Sequence, residues 1–143
     1  MALLLIIYDE VLKTGFRGII DRTKSELESH SVGEPDYSVR HEFLKAVIIS
    51  CEAAVTYAKR YAALARELSQ KESDIVRSRE LLKIAENCER VPEYGARNFY
   101  EACQSFWFVQ MLIQIESSGH SISPGRFDQY MYPYYKNDIV SGA

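Results

Sequence analysis

The sequence predicts an all-α fold, because its apolar residues recur at helical spacing through most of the chain and almost no stretch alternates as a strand would. Clusters of Gly, Pro, Ser and Asp separate these stretches and mark short loops. The chain has 143 residues, a single-domain length, with 47% hydrophobic and 26% charged residues. That balance is typical of an ordinary globular protein.

The first predicted helix runs from Leu5 to His30 and has one apolar seam between charged residues. Two glycines, Gly15 and Gly18, weaken it, since each costs roughly 1 kcal/mol relative to Ala inside a helix. Their presence predicts close packing against a neighbouring element. A short loop with Gly, Pro and Asp follows from Ser31 to Tyr37.

Two further helices are predicted, one from Ser38 to Gln70 with a broad apolar face, and one from Ile75 to Cys88. A short break separates them, and either Ser73 or Asp74 is expected to cap the second of the two. The stretch from Val91 to Gly95 then reads as a turn.

The fourth predicted helix, Phe99 to Ile115, is too long for a buried strand and has Asn98 as its expected N-cap, with Glu101 three residues further on. Apolar residues cover all of its faces, which predicts a helix buried on most sides. A final helix is predicted from Phe127 to Asp138, interrupted by Pro133.

Composition narrows the classes of function. The formal charge of −3 and pI near 5.6 give no electrostatic reason to expect nucleic acid or an anionic membrane as partner. The three cysteines have no CxxC spacing, so neither a disulfide framework nor a metal site is predicted, and a reducing cytoplasm fits them best. The apolar run from Ala2 to Ile7 is too short for a signal sequence or a membrane span.

The most informative segment follows the fourth helix, where Ser117, Ser118 and Gly119 are expected to end it. Five polar residues come within the next nine positions: His120, Ser121, Ser123, Arg126 and Asp128. Polar groups directly after a buried helix are expected to lie inside the protein, where they need partners or a ligand.

This segment carries a resemblance to a known family. The stretch from Gly119 to Tyr135, GHSISPGRFDQYMYPYY, preceded by QSFWF from Gln104 to Phe108, resembles the N-terminal part of glycyl radical enzymes. The most similar branch is that of the pyruvate formate-lyase-like dehydratases and lyases, such as glycerol and diol dehydratases, choline trimethylamine-lyase and hydroxyproline dehydratase. The resemblance implies that residues 1–143 form part of a pyruvate formate-lyase-like domain, as a helical subdomain of a larger α/β barrel.

The resemblance also implies roles for individual residues. His120 would contact or deprotonate a substrate hydroxyl, and Asp128 would accept a hydrogen bond from it. Taken without the resemblance, His120 is an ordinary loop histidine and Asp128 a charge that favours the helix N-terminus. Arg126 and Ser121 are interpreted as structural or pocket residues, and Tyr130 as a packing residue that could line the pocket. Cys103 is interpreted as a small hydrophobe in its helix.

Members of the resembled family carry a glycyl radical, which a radical-SAM activating enzyme installs. The RVxG-type motif of the radical glycine and the GCxE-type motif of the thiyl cysteine do not occur in this sequence, so the chain is expected to bind no cofactor and to be inactive alone. In a full-length enzyme the partners would be a small-molecule substrate, the activating enzyme and a second copy in a homo-oligomer. The implied reaction eliminates water or an amine from a small hydroxylated substrate, or is formate acetyltransferase-like. The rival hypothesis is a self-contained helical interaction module that has lost the chemistry.

Overall fold

The structure, a computed structural model, describes residues 8–29, 31, 33, 36–119 and 122–142. In these residues it has five α-helices and no β-strand, which confirms the predicted all-α fold. The helices are α1 (Tyr8–Ser29), α2 (Tyr37–Lys71), α3 (Ile75–Arg90), α4 (Phe99–Glu116) and α5 (Phe127–Ser141). The predicted first-helix ends, Leu5 to Ile7 and His30, lie outside the described residues.

Side-chain caps define the starts of two helices. The Asp74 carboxylate accepts a hydrogen bond of 2.8 Å from the backbone N–H of Val76, so Asp74 and not Ser73 caps α3. The side-chain oxygen of Asn98 accepts one of 2.8 Å from the N–H of Glu101 and caps α4 as predicted. Each cap satisfies a donor that the first helical turn leaves without a partner.

Helices α2 and α3 form a hairpin joined by three residues, while α1 packs along α2 and α4 lies against α1, α2, α3 and α5. Four buried alanines on α2 let its neighbours approach closely: Ala54, Ala58, Ala62 and Ala65. The core consists of three apolar clusters, and each includes a residue of α4, namely Ala102, Phe108 or Val109. Helix α4 is therefore the central element of the fold.

Helix α1 is broken at Gly15, whose φ of 68° and ψ of 175° are not helical. The break frees backbone groups that a continuous helix would pair internally. The N–H groups of Phe16 and Arg17 donate to the carbonyls of Pro92 and Glu93 at 2.8 and 2.9 Å. In return the N–H of Ala96 donates to the Leu12 carbonyl at 2.8 Å. Residues 91–98 are called the 91–98 turn below. Their backbone groups form the hydrogen bonds that one turn of an unbroken α1 would form within the helix.

Two glycines allow the backbones of α1 and the 91–98 turn to cross each other closely. A Cβ atom added at Gly15 would lie 2.2 Å from the carbonyl oxygen of Glu93, and one added at Gly95 would lie 2.1 Å from that of Lys13. The close packing predicted for Gly15 is confirmed. At Gly18 the three nearest atoms all belong to the Thr14 side chain of the same helix.

Two buried carboxylates tie the 91–98 turn to the helices. Glu93 accepts hydrogen bonds of 2.5 Å from both Arg17 of α1 and Lys59 of α2. Glu101 accepts one of 2.5 Å from the Arg97 guanidinium and one of 2.8 Å from the Arg97 N–H. Burial alone would raise the pKa of each carboxyl, but the hydrogen bonds from these cations outweigh it and hold both pKa values below the ordinary value. Both groups are therefore ionised at neutral pH.

The prediction that α4 is buried on most sides is confirmed except along one face. Glu101, Ala102, Ser105, Phe108 and Val109 are buried, and the four other helices all contact α4. On the remaining face Tyr100, Trp107 and Ile115 are exposed, Trp107 to 59%. Apolar composition alone did not distinguish this face from the others.

The predicted interruption at Pro133 was wrong, because α5 continues through it to Ser141. Proline removes one N–H donor and disfavours a helix interior. The flanking residues hold the helix, since Met131 is buried against Leu12 and Ala102 and Tyr134 packs on the same cluster. In addition, the Asp138 carboxylate near the end of α5 accepts a hydrogen bond of 2.9 Å from the Phe99 N–H.

Replacing Gly15 by Ala should destabilise the chain by more than the roughly 1–3 kcal/mol typical of backbone strain. The added methyl group would collide with the Glu93 carbonyl as well as force a φ that only glycine adopts readily. Gly125→Ala is the matched control, since Gly125 has the same φ of 68° but nothing within 4 Å of an added Cβ. Urea unfolding measured by circular dichroism should rank wild type, Gly125→Ala and Gly15→Ala in that order. Equal losses for the two variants would contradict the clash.

The free energy of unfolding should fall as the pH drops below the ordinary glutamate pKa of 4.5. A carboxyl whose folded-state pKa is lowered contributes stability above its unfolded pKa, and that contribution is lost as the pH falls through the folded value. Urea unfolding between about pH 3 and 7 measures the slope. The Glu93→Gln variant should be less stable at neutral pH and show a shallower slope. An unchanged slope would show that Glu93 is not among the groups responsible.

Candidate functional site

Helix α4 ends in a tight reversal at the segment predicted to carry the site. Ser118 and Gly119 have φ values of 56° and 81°, in the left-handed region. The Gly119 N–H donates to the Gln114 carbonyl at 2.8 Å, and the Ser117 N–H donates to the Ile113 carbonyl at 2.9 Å. This pattern satisfies the last carbonyls of the helix and confirms the predicted end of α4.

One side chain of α4 reaches the chain that leads into α5. The Gln110 amide nitrogen donates to the carbonyl oxygen of Ile122 at 3.0 Å. The amide oxygen of the same residue accepts a hydrogen bond from the Tyr8 hydroxyl at the start of α1. Gln110 therefore connects α1, α4 and the segment before α5.

A second anchor comes from α5. The Tyr130 hydroxyl donates to the carbonyl oxygen of Pro124 at 2.8 Å, and next to it the Gly125 N–H donates to the Ser123 hydroxyl at 3.2 Å. Burial, together with the neighbouring Tyr8, raises the pKa of Tyr130 to about 12, and burial also raises the pKa of Tyr8. Both phenols therefore stay protonated and act as hydrogen-bond donors at neutral pH.

These tyrosines belong to an aromatic cluster that joins α1, α4 and α5. The ring of Tyr8 stacks on that of Tyr130 with centroids 5.5 Å apart and lies 5.1 Å from that of Phe106. Phe127 meets Phe106 edge-on at 4.9 Å. Such offset and edge-to-face contacts add to the stabilisation from burial, so the start of α5 is held firmly against α4.

The structure places the predicted site residues as follows. His120 and Ser121 lie outside the described residues. Arg126 and Asp128 lie at the start of α5 and are exposed, and no ion pair between them is among those of the described residues. The expectation that this polar group lies inside the protein was wrong for these two residues, since both side chains are exposed. Tyr130 is half-buried and holds the Pro124 carbonyl.

The described residues contain no group of three or more His, Cys, Asp or Glu side chains that could hold a metal ion. None of the described helices is long and apolar enough to cross a membrane. Burial raises the pKa of the Cys103 thiol, and burial with the nearby Glu89 raises that of Cys88 to about 11. Both thiols are protonated at neutral pH and behave as small hydrophobes.

Sequence reasoning missed the two anchoring residues Tyr8 and Gln110. Gln110 stands in an otherwise apolar run, FVQMLIQI, and a polar side chain in such a run needs a hydrogen-bond partner if it is buried. That signal pointed to Gln110 but not to its partner, because Tyr8 is 102 residues away in the sequence. Only the fold brings the two together.

A family model described as pyruvate formate lyase-like matches residues 4–143, nearly the whole chain. The chain belongs to the pyruvate formate lyase-like family. The resemblance of the segment from Gly119 to Tyr135 to glycyl radical dehydratases and lyases is thereby confirmed.

Individual family members are similar over nearly all of this chain. The isethionate sulfite-lyase of Desulfovibrio desulfuricans is 49% identical over 137 residues, which is 94% of this chain and 16% of that protein. A structure from work on 1,2-propanediol dehydration in Roseburia inulinivorans is 54% identical, with a TM-score of 0.92 over 95% of this chain and 16% of that one. The glycerol-bound B12-independent glycerol dehydratase from Clostridium butyricum is 55% identical, with a TM-score of 0.87 over 91% of this chain and 16% of that one. The chain thus spans about a sixth of the length of these pyruvate formate lyase-like proteins.

The exposed face of α4 in this pyruvate formate lyase-like chain forms one side of an open apolar groove. Helices α2 and α3 form the other sides, and the groove has a volume of about 260 Å³. Its lining includes the half-exposed side chains of Tyr61, Leu64, Leu68 and Trp107. Apolar surface that is exposed in this way favours association, because burying it removes it from water.

The isolated 143-residue chain should self-associate through α4, because leaving a large apolar side chain in water forgoes roughly 1.5–3 kcal/mol of burial. Trp107→Lys should weaken association about tenfold or more, whereas Tyr132→Lys, which changes an equally exposed aromatic residue on α5, should leave it unchanged. Sedimentation over a range of concentrations, read together with Trp107 fluorescence, measures both effects. A monomer at every concentration, with a blue-shifted Trp107, would contradict the prediction.

Proposed function

We propose that this chain is the helical segment of a glycyl radical enzyme that eliminates water, or another small leaving group such as an amine, from a small hydroxylated substrate. The observation that carries the proposal is the set of molecules named in the three relatives described above. Isethionate, 1,2-propanediol and glycerol are all small and carry a hydroxyl group. A formate acetyltransferase reaction on pyruvate fits these names less well, since pyruvate has no hydroxyl group.

In this proposal His120 and Asp128 receive the substrate hydroxyl. An imidazole suits contact with, or deprotonation of, a hydroxyl because its pKa lies near working pH. Asp128 can accept the hydroxyl proton in a hydrogen bond, and its exposed carboxylate takes part in none of the ion pairs of the described residues. Arg126, two residues earlier in the sequence, is proposed to supply a positive charge to the same site.

The radical chemistry itself is assigned to the larger enzyme. The glycyl radical and the thiyl cysteine of the family belong to motifs that this chain does not contain, so the chain alone is proposed to be inactive. Its proposed partners are a small-molecule substrate, a radical-SAM activating enzyme and further copies in a homo-oligomer, in the cytoplasm. The part played by this segment is to bind and orient a hydroxyl group.

A second candidate, an interaction module without catalysis, is favoured by the apolar groove between α2, α3 and α4. The two candidates differ in what they require of the segment between α4 and α5. A module that binds only through the groove needs neither His120 nor Asp128. Substitution of these two residues in an active enzyme therefore separates the candidates.

The proposed roles can be tested in a hybrid enzyme, in which residues 4–143 replace the matching segment of the Clostridium butyricum glycerol dehydratase. His120→Ala and Asp128→Asn should each lower kcat for glycerol by about 10²-fold or more, the usual contribution of a positioned acid–base group. The glycyl radical, measured by electron paramagnetic resonance, should form to the same extent in both variants.

Asp21→Asn is the matched control, since Asp21 is an exposed carboxylate on α1 and should tolerate the change. Full turnover in both the His120 and the Asp128 variants would exclude the proposed roles. Loss of the radical together with turnover would instead indicate a structural defect.

A further inference from the structure

Three buried polar atoms of α3 and α4 have no hydrogen-bond partner among the described residues. They are the side-chain nitrogen of Asn87, the Nε of Arg90 and the hydroxyl oxygen of Ser105. Asn87 is 2% exposed and Ser105 is 0% exposed. A buried polar group without a partner destabilises a fold, so native proteins pair nearly all such groups with protein or with ordered water. Each of these atoms therefore needs a partner.

Two contacts between α3 and α4 define how these helices face each other. Arg90 at the end of α3 lies against Glu101 near the start of α4, with its Nε 3.5 Å from a carboxylate oxygen. About two turns away along α3, Ile84 packs against the apolar cluster that contains Phe108 of α4. Numbers fall along α3 while they rise along α4, so the two helices run antiparallel at this contact.

This pairing places the three unpaired atoms together. Residues three or four apart lie on the same face of a helix. One turn before Arg90 on α3 is Asn87, and one turn after Glu101 on α4 is Ser105. We therefore infer that Asn87 and Ser105 lie opposite each other, next to the contact between Arg90 and Glu101.

The hydroxyl of Ser105 is not used within its own helix. A hydroxyl inside a helix commonly donates to the carbonyl four residues earlier, as the hydroxyls of Thr14, Thr23 and Thr56 do at 2.8 to 3.0 Å. Within the described chain Ser105 makes no such bond. Its hydroxyl is therefore available to a partner outside α4.

We propose that one water molecule is bound between α3 and α4: it accepts hydrogen bonds from the Asn87 amide and the Arg90 Nε–H and donates one to the Ser105 hydroxyl oxygen. A water molecule can accept two hydrogen bonds and donate two, so a single water satisfies all three atoms. A direct bond from Asn87 to Ser105 would leave Arg90 Nε unpaired. Buried waters in proteins make about three such bonds. This site does not depend on the function proposed above.

A crystal structure of the 143-residue chain at high resolution tests the site directly. One water should lie within about 3.2 Å of Asn87 Nδ2, Arg90 Nε and Ser105 Oγ. A direct hydrogen bond between Asn87 and Ser105 would overturn the proposal. So would the absence of water at this point in a structure that shows ordered water elsewhere.

The sign of a stability change provides a second test. Ser105→Ala removes one hydrogen bond of the proposed water and should lower the folding equilibrium constant about two- to tenfold relative to Ser50→Ala. Ser50 is exposed on α2, so this control makes the same change in helix propensity without touching a buried group. Urea unfolding measures both variants. A hydroxyl without any partner predicts the opposite sign, because its removal ends a cost of burial, and an equal or higher constant for Ser105→Ala therefore contradicts the water.

A double-mutant cycle tests whether the two helices share one water. Asn87→Ala alone should also lower the folding equilibrium constant. Because either change weakens binding of the same water, the loss in the double variant should be smaller than the product of the single losses, by about twofold or more. Single losses that multiply without coupling would show that Asn87 and Ser105 have no common partner, and the proposed site would be wrong.

Discussion

The rest of the structure depends on the crossing of α1 over the 91–98 turn. Breaking α1 at Gly15 leaves N–H groups without their helical partners, and a buried unpaired donor costs about 1–3 kcal/mol. The carbonyls of Pro92 and Glu93 accept these donors, and the turn returns one hydrogen bond to Leu12. The backbones approach so closely that only glycine fits at positions 15 and 95. This crossing fixes α1 relative to the chain that enters α4.

The crossing also connects the fold to the candidate site. Beyond the break, α1 brings Arg17 to the buried Glu93, which Lys59 of α2 also neutralises. Before the break, α1 carries Tyr8 to Gln110 of α4 and to the ring of Tyr130. A shift of α1 at the crossing would therefore move the partner of Gln110 and, through it, the chain at Ile122. The stability of the fold and the course of the chain at Ile122 therefore depend on the same contacts of α1.

Local signals made much of this fold predictable. The cap at Asn98, the end of α4 at Gly119 and the close packing at Gly15 each follow from the chemistry of one or a few neighbouring residues. The exposure of Trp107 and the continuation of α5 through Pro133 did not, because both depend on which elements pack nearby. The hydrogen bond between Tyr8 and Gln110 could not be predicted from the sequence for the same reason. The roles of His120 and Asp128 came from resemblance alone and stay predictions.

The exposure of Asp128 sets a physical condition on the proposed chemistry. In water a carboxylate is already hydrogen-bonded to solvent, so exchanging that water for a substrate hydroxyl has a net worth of only about 0.5–1.5 kcal/mol. Exclusion of water strengthens the same bond, because the effective dielectric constant around it falls. The described helices leave Asp128 exposed. Under the proposed function, we expect the surface that excludes water from Asp128 to come from the part of its relatives that this chain does not match.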